Sequence, residues 1–208
     1  MELKVNPTRM ELRKIKGKYK TAQKGHRLLK DKTNELIRKF YATSGDTISL
    51  RENVDGKLKN ILENFSLAKL KLEDSYIDML FSLPNEKYDL EFRRDAILSV
   101  EVPKIKYEKV IIDSDAPSIG MMVGGRMQVA LDEFYKIIPE LIKLAETEKS
   151  TFLLASEIEK NKRRVNALEN ILMPTYRKTI GDIELKLAEN ERSTTASLMK
   201  IKDMLSKK

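Results

Sequence analysis

The chain has 208 residues, of which 35% are charged and 6% aromatic, with no cysteine, no tryptophan and one histidine; that is the composition of long helices with little interior. Disulfides, thiolate chemistry and zinc sites of the Cys/His type are excluded. The net charge of +8 is uneven: residues 1–40 hold 13 Lys/Arg against 4 Asp/Glu and residues 157–208 hold 12 against 8, while residues 41–156 hold 15 against 20, so the basic charge sits at the two chain ends.

Asn6 is a good helix N-cap and Pro7 suits a first helical position, where its missing N–H costs nothing. From there Thr8, Leu12, Ile15, Tyr19, Ala22, His26, Leu29, Thr33, Leu36 and Phe40 follow in steps of three and four, 32 residues in nine steps, which is a heptad seam. The seam thins at Ser44–Thr47, a weak and bendable stretch, and recovers through Val54, Leu58, Ile61, Phe65, Ala68 and Leu72. One helix running to about Met79 is expected.

Pro84 and Asn85 end that pattern. Ile97–Val102 and Ile105–Ile112 are rich in β-branched residues and read as a small β-hairpin with Pro103 at its turn or edge. Asp113–Gly125 reads as a loop. From Met127 the helical period returns and continues to Leu205, with Pro139 and Pro174 each removing a backbone bond or kinking the helix. Its seam from Val165 runs Leu168, Leu172, Tyr176, Ile180, Ile183, Leu187, Glu191, Thr194, Leu198, Ile201 and Leu205, forty residues in eleven steps.

A single narrow stripe on so long a helix wants one long partner helix. The expected fold is therefore mainly α, a long antiparallel two-helix coiled coil of the N- and C-terminal helices with a small mid-chain hairpin. The segments are 1–80, 81–126 and 127–208. End-to-end pairing sets residue i near residue 208 − i, so Leu12 would lie near Leu198 and Phe40 near Leu168. The seam periods, 3.56 and 3.64, leave the supercoil handedness open.

Little here carries chemistry. His26 sits on the seam and reads as a packed or partner-facing histidine. The stretch Gly120–Arg126 fails the phosphate-loop pattern G-x-x-x-x-G-K-[ST]. Asp113/Asp115 and Glu157/Glu159 read as solvated pairs. The basic face of Lys14, Lys16, Lys18, Lys20, Lys24, Arg27, Lys30 and Lys32 has the sign for nucleic acid, but no recognition motif and no aromatic interleaving. These residues support neither an enzyme nor a cofactor site. No apolar run approaches the ~18 residues of a membrane span, and Met1–Met10 lacks a signal-peptide core, so a cytoplasmic location without membrane insertion is expected.

Asn6-Pro7-Thr8-Arg9-Met10-Glu11-Leu12 and Lys24-Gly25-His26-Arg27-Leu28-Leu29-Lys30-Asp31-Lys32 resemble the N-terminal signature of the D subunit of V-type and A-type rotary ATPases. Arg163-Arg164-Val165-Asn166-Ala167-Leu168-Glu169-Asn170-Ile171-Leu172-Met173-Pro174 resembles its C-terminal one. The resemblance implies a central-stalk protein that binds no nucleotide. Its paired termini would enter a ring of catalytic and non-catalytic nucleotide-binding subunits, A and B. Its mid-chain end would meet the small F subunit of the stalk and the cap of the membrane rotor, and the whole would transmit torque between ATP hydrolysis and proton or sodium movement.

By that resemblance Arg9, Arg13, Lys14, Arg163, Arg164 and Lys200 are ring-facing candidates, and Ile97, Val100, Val102, Tyr107, Val110 and Ile112 are candidates for contact with the F subunit and the cap. Ser44–Thr47 and Pro174, if opposed, would make a soft zone able to store twist. A stand-alone coiled-coil scaffold or a nucleic-acid-binding rod is the alternative.

Overall fold

The computed structural model describes residues 5–70, 73, 75, 77, 86–111 and 125–206. In chain order the elements are α1 (Arg9–Lys69), β1 (Glu86–Ile97), β2 (Val100–Ile111), α2 (Gly125–Ala167), a π turn (Leu168–Leu172) and α3 (Met173–Ser206). The fold is mainly α, with long N- and C-terminal helices and one antiparallel hairpin. Two compact units divide it: residues 1–35 with 158–208, and residues 36–157.

α1 begins two residues later than its sequence suggests. The Glu11 N–H donates to Thr8 Oγ1 at 3.2 Å and the Leu12 N–H to the Thr8 carbonyl at 3.0 Å. Thr8 is therefore the N-cap, in a Thr-x-x-Glu capping arrangement, and Pro7 precedes the helix. The helix ends at Lys69, short of Met79, which lies outside the described residues, as do Leu72, Pro84 and Asn85. There is no break at Ser44–Thr47.

Tyr19, His26, Thr33, Phe40, Thr47, Val54, Ile61 and Ala68 are each seven residues apart and each buried or half-buried. Thr47 holds its place in this row because its hydroxyl donates to the Thr43 carbonyl at 2.7 Å, which satisfies it without breaking the helix.

In the unit formed by residues 36–157, Val54, Ile61, Ile137 and Leu144 form a core lined by Leu50, Leu58 and Leu141, and Ala68 and Met127 pack with Phe65 and Leu131. Antiparallel pairing of α1 with α2 is fixed by Thr47 Oγ1 against Thr151 Oγ1 (3.3 Å), Arg51 Nη1 with Glu148 (3.2 Å) and Lys57 Nζ with Glu140 (2.6 Å). Pro139 lies within α2 without ending it.

In the unit of the chain ends, α1 pairs antiparallel with the π turn and α3. The contacts are His26–Glu169 (3.2 Å), Arg177 to the Tyr19 hydroxyl (3.0 Å), Lys16–Glu184 (2.6 Å) and Arg9–Glu191 (2.5 Å). Its deeply buried apolar residues are Ile15 and Ile183, joined by Thr33, Asn161 and Thr179. This seam is shallower and more polar than that of the other unit.

These contacts correct the expected register. Lys16 meets Glu184, where end-to-end pairing would give Arg192, so Leu12 faces the turns between Glu184 and Glu191 and Leu198 is exposed. Glu169 meets His26, where end-to-end pairing would give Lys39, so the Leu168 turn of the helix lies opposite the His26 turn of α1. The soft zone inferred from that register falls with it. Thr47 meets Thr151, whereas Pro174 lies between the His26–Glu169 and Tyr19–Arg177 contacts.

The hairpin is longer than expected and turns elsewhere. Ile97 pairs with Val100, leaving Leu98 and Ser99 as a two-residue loop at φ 49° and 69°. Two successive positive φ values make this a type I′ turn, whose twist suits a hairpin. Pro103 is not at the turn; it pairs with Arg94 inside β2. Counting back from the closing pair, hydrogen-bonded and non-bonded pairs alternate, which places Pro103 in a non-bonded pair where its missing N–H would have pointed outward. The same count turns the Ile105 N–H outward, and it donates to Glu146 Oε2 at 2.9 Å.

Neither Leu98 nor Ser99 is a residue that favours left-handed backbone. Replacing them with Asn and Gly should stabilise the hairpin by about 1 kcal/mol, read as a roughly fivefold slower amide exchange in β1 and β2. Unchanged exchange would contradict the assigned turn.

Candidate partner-binding surfaces

The six basic residues singled out from the sequence are all exposed and lie on three separate stretches. On α1, Arg9 bridges to Glu191 and Lys14 to Glu11 (3.3 Å), while Arg13 points to solvent. On α2, Arg163 bridges to Glu159 four residues earlier (2.5 Å), and Arg164 Nη1 approaches Asn161 Oδ1 at 3.5 Å. Lys200 is on α3. Exposed pairs of this kind contribute under about 1 kcal/mol each, so they can be exchanged at little cost for contacts to another molecule.

The end of α3 is a surface in its own right, which spacing alone does not single out. Ala188–Ser206 are all exposed, and they carry Leu198, Met199, Ile201, Met204 and Leu205. Arg9 is the first residue of α1 and meets Glu191, so the α3 residues beyond Arg192 extend past the helix that covers the rest of the seam. Asn161 is the other residue the spacing does not mark. It is fully buried, and its Nδ2 lacks a hydrogen-bond partner among the described residues. A polar group in such a position restricts the registers a helical pair can adopt.

The hairpin is bonded to α2 through the Ile105 N–H to Glu146 and the Tyr88 hydroxyl to the Tyr135 carbonyl at 3.2 Å. Of the six hairpin candidates, Val100 and Val102 are buried (7% and 5% exposed), Ile97 is half-buried, Tyr107 and Val110 are exposed, and Ile112 lies outside the described residues. Alternation along the strands sets Leu90, Phe92, Ile105 and Tyr107 on one face. Phe92 is 69% exposed and Leu90 40%. The signal for them was legible: Tyr88, Leu90 and Phe92 alternate with Asp89, Glu91 and Arg93.

Of the other features weighed, His26 packs on the seam against Glu169, and Lys16 of the basic face is engaged with Glu184. Asp113, Asp115 and Gly120–Gly124 lie outside the described residues. Among the described residues no three His, Asp or Glu side chains are grouped to hold a metal ion, and no helix is long and apolar enough to cross a membrane. The arrangement offers extended faces for other proteins.

Residues 11–203 match the family model described as the ATP synthase D subunit. The chain is 41% identical over 208 residues to the V-type ATP synthase D subunit of Clostridium novyi (strain NT), covering 99% of this chain and 96% of that protein. It is 40% identical over 207 residues to the V-type ATP synthase D subunit of Clostridioides difficile (strain 630), covering 99% and 93%. To that of Clostridium botulinum (strain ATCC 19397 / Type A) it is 39% identical over 212 residues, covering 100% and 98%. With the match running through both long helices and the hairpin between them, the chain belongs to the D-subunit family of V-type ATP synthases.

Proposed function

We propose that the chain is the central-stalk subunit of a V-type rotary ATPase, a non-catalytic shaft that carries torque between ATP hydrolysis in a ring of A and B subunits and ion movement in the membrane. The observation that carries this is full-length family membership in a chain whose paired helices end in an uncovered, partly apolar α3 tail. A shaft turning in a sleeve needs many weak, exchangeable contacts, and exposed ion pairs supply them. On this reading the α3 tail and the basic residues Arg9, Arg13, Lys14, Arg163, Arg164 and Lys200 meet the ring.

The hairpin meets the F subunit or the rotor cap through Tyr107, with Leu90 and Phe92 on the same face, and through Val110 on the opposite face. Val100 and Val102 lie buried on the face that carries Val110, with Ile97 half-buried beside the turn; Ile112 stays a candidate on the sequence resemblance alone. The chain works at the cytoplasmic side of the membrane without inserting into it, and needs no cofactor of its own.

Affinity purification of the tagged chain from native membranes should bring down the nucleotide-binding A and B subunits and the F subunit in a complex that hydrolyses ATP. Recovery of the chain alone, or with nucleic acid released steeply by salt, would contradict the proposal.

A further inference from the structure

The break in helical phase at Leu168–Leu172 has a cause in the sequence on either side. Through α2 the seam reaches Asn161, Val165 and Leu168 in steps of four and three, all buried or half-buried. A plain α-helix would continue it through Leu172, Thr175, Thr179, Asp182 and Lys186. Two of those are charged and two more are threonines whose hydroxyls are returned to the backbone at Ile171 and Thr175.

The structure instead leaves Leu172 41% exposed, with Asp182 and Lys186 exposed as well, and puts Met173, Tyr176, Ile180, Ile183 and Leu187 at the half-buried and buried positions, with Thr175 and Thr179 beside them. The step from Leu168 to Met173 is five residues, and the Met173 N–H bonds to the Leu168 carbonyl, the i to i−5 bond of a π turn. One residue has been inserted into the phase of the helix. That single step accounts for the long mean period of the C-terminal seam.

We infer that this π turn is a register-setting insertion, which selects the apolar face of α3 for contact with α1 and is held by that seam. It lies immediately ahead of Pro174, which lacks the N–H that the helical ladder would use there. The extra residue thus enters where one backbone bond is already forfeited. Without the insertion, Asp182 and Lys186 would turn toward α1, and the stripe of Leu187, Thr194, Leu198, Ile201 and Leu205 would rotate about 100° away from the α1 seam. The turn therefore also fixes the direction in which the uncovered tail presents its apolar residues.

Carbodiimide cross-linking read by mass spectrometry tests this on native side chains. Lys16–Glu184 reports the phase beyond the turn, and Lys57–Glu140 serves as a reference outside it; each pair stands at 2.6 Å. Three variants are compared with the parent chain: Pro174→Ala, Pro174→Ala with Asn170 deleted, and Pro174→Ala with Asn170 and Ile171 both deleted. The first should keep the Lys16–Glu184 product, normalised to the reference, because the seam holds the insertion. The second should keep it within about twofold, because the residue removed is the extra one. The third leaves α3 one residue short and should lose the product about tenfold.

Loss of the product in either of the first two variants would overturn the inference, as would its survival in the third. Failure of the second variant to fold, judged by circular dichroism while Pro174→Ala folds, would overturn it as well.

Discussion

Truncation after Arg192 should abolish ATP-driven ion transport by the assembled complex while leaving the fold of the chain intact. The cut keeps every cross-helix contact of the chain ends from His26–Glu169 through Arg9–Glu191. The described residues it removes, 193–206, are all exposed, so melting of the isolated chain should move by less than about 2 °C. What it takes away is Leu198, Met199, Ile201, Met204 and Leu205, all half-exposed or more.

Covered by a ring, each such side chain would contribute about 1.5–3 kcal/mol, and every ~1.4 kcal/mol is tenfold in affinity. Losing even two of the five therefore weakens engagement by more than about a hundredfold. Transport by complexes rebuilt with the truncated chain, measured beside its melting, separates this from a folding defect. A truncated chain that supports transport at the parental rate would show that the tail is not the grip.

Leu154→Ala should cost about 3 kcal/mol of stability, among the largest effects of any single substitution in the chain. Leu154 is 0% exposed on α2, and truncating it leaves a cavity that two helices zipped along one seam cannot easily collapse. Leu62→Ala, at a position 59% exposed, should change stability by less than about 0.5 kcal/mol. With no tryptophan in the chain, urea unfolding followed by circular dichroism is the suitable readout. Equal midpoints for the two variants would contradict the burial pattern on which the helical pairing rests.

The seam of α1 could be read from spacing alone because seven-residue repetition is local and each turn reports on the same face. Thr47 was undervalued for an equally local reason, since a threonine that bonds its own helix can occupy a buried position that looks polar in sequence. Register was a different matter. It is set by which ion pairs and buried groups meet across the two helices, and none of these is visible until a partner residue is known; pairing the chain ends missed by eight residues at Lys16.

The π turn was hidden because one five-residue step, averaged over eleven, passes for a slightly long helical period. In the hairpin, β1 was masked by its charges, and Leu98–Ser99 carries no glycine or asparagine to announce a type I′ turn. The exposure of the charged candidates was legible because exposure follows from charge. The burial of Val100 and Val102 is not legible in their spacing, because a two-stranded ribbon must pack against a helix or a partner and the sequence does not say which; here Glu146 and Tyr135 fasten it to α2.

Transmission of torque is the central claim, and rotation measures it directly. The chain has no cysteine, so Lys106→Cys on the exposed part of β2 gives a single attachment point on this chain for a bead, on complexes fixed by their ring and with the other subunits cleared of reactive cysteines. Under ATP the bead should turn continuously in one direction. A bead that stays still while the same complexes hydrolyse ATP at full rate would contradict the account.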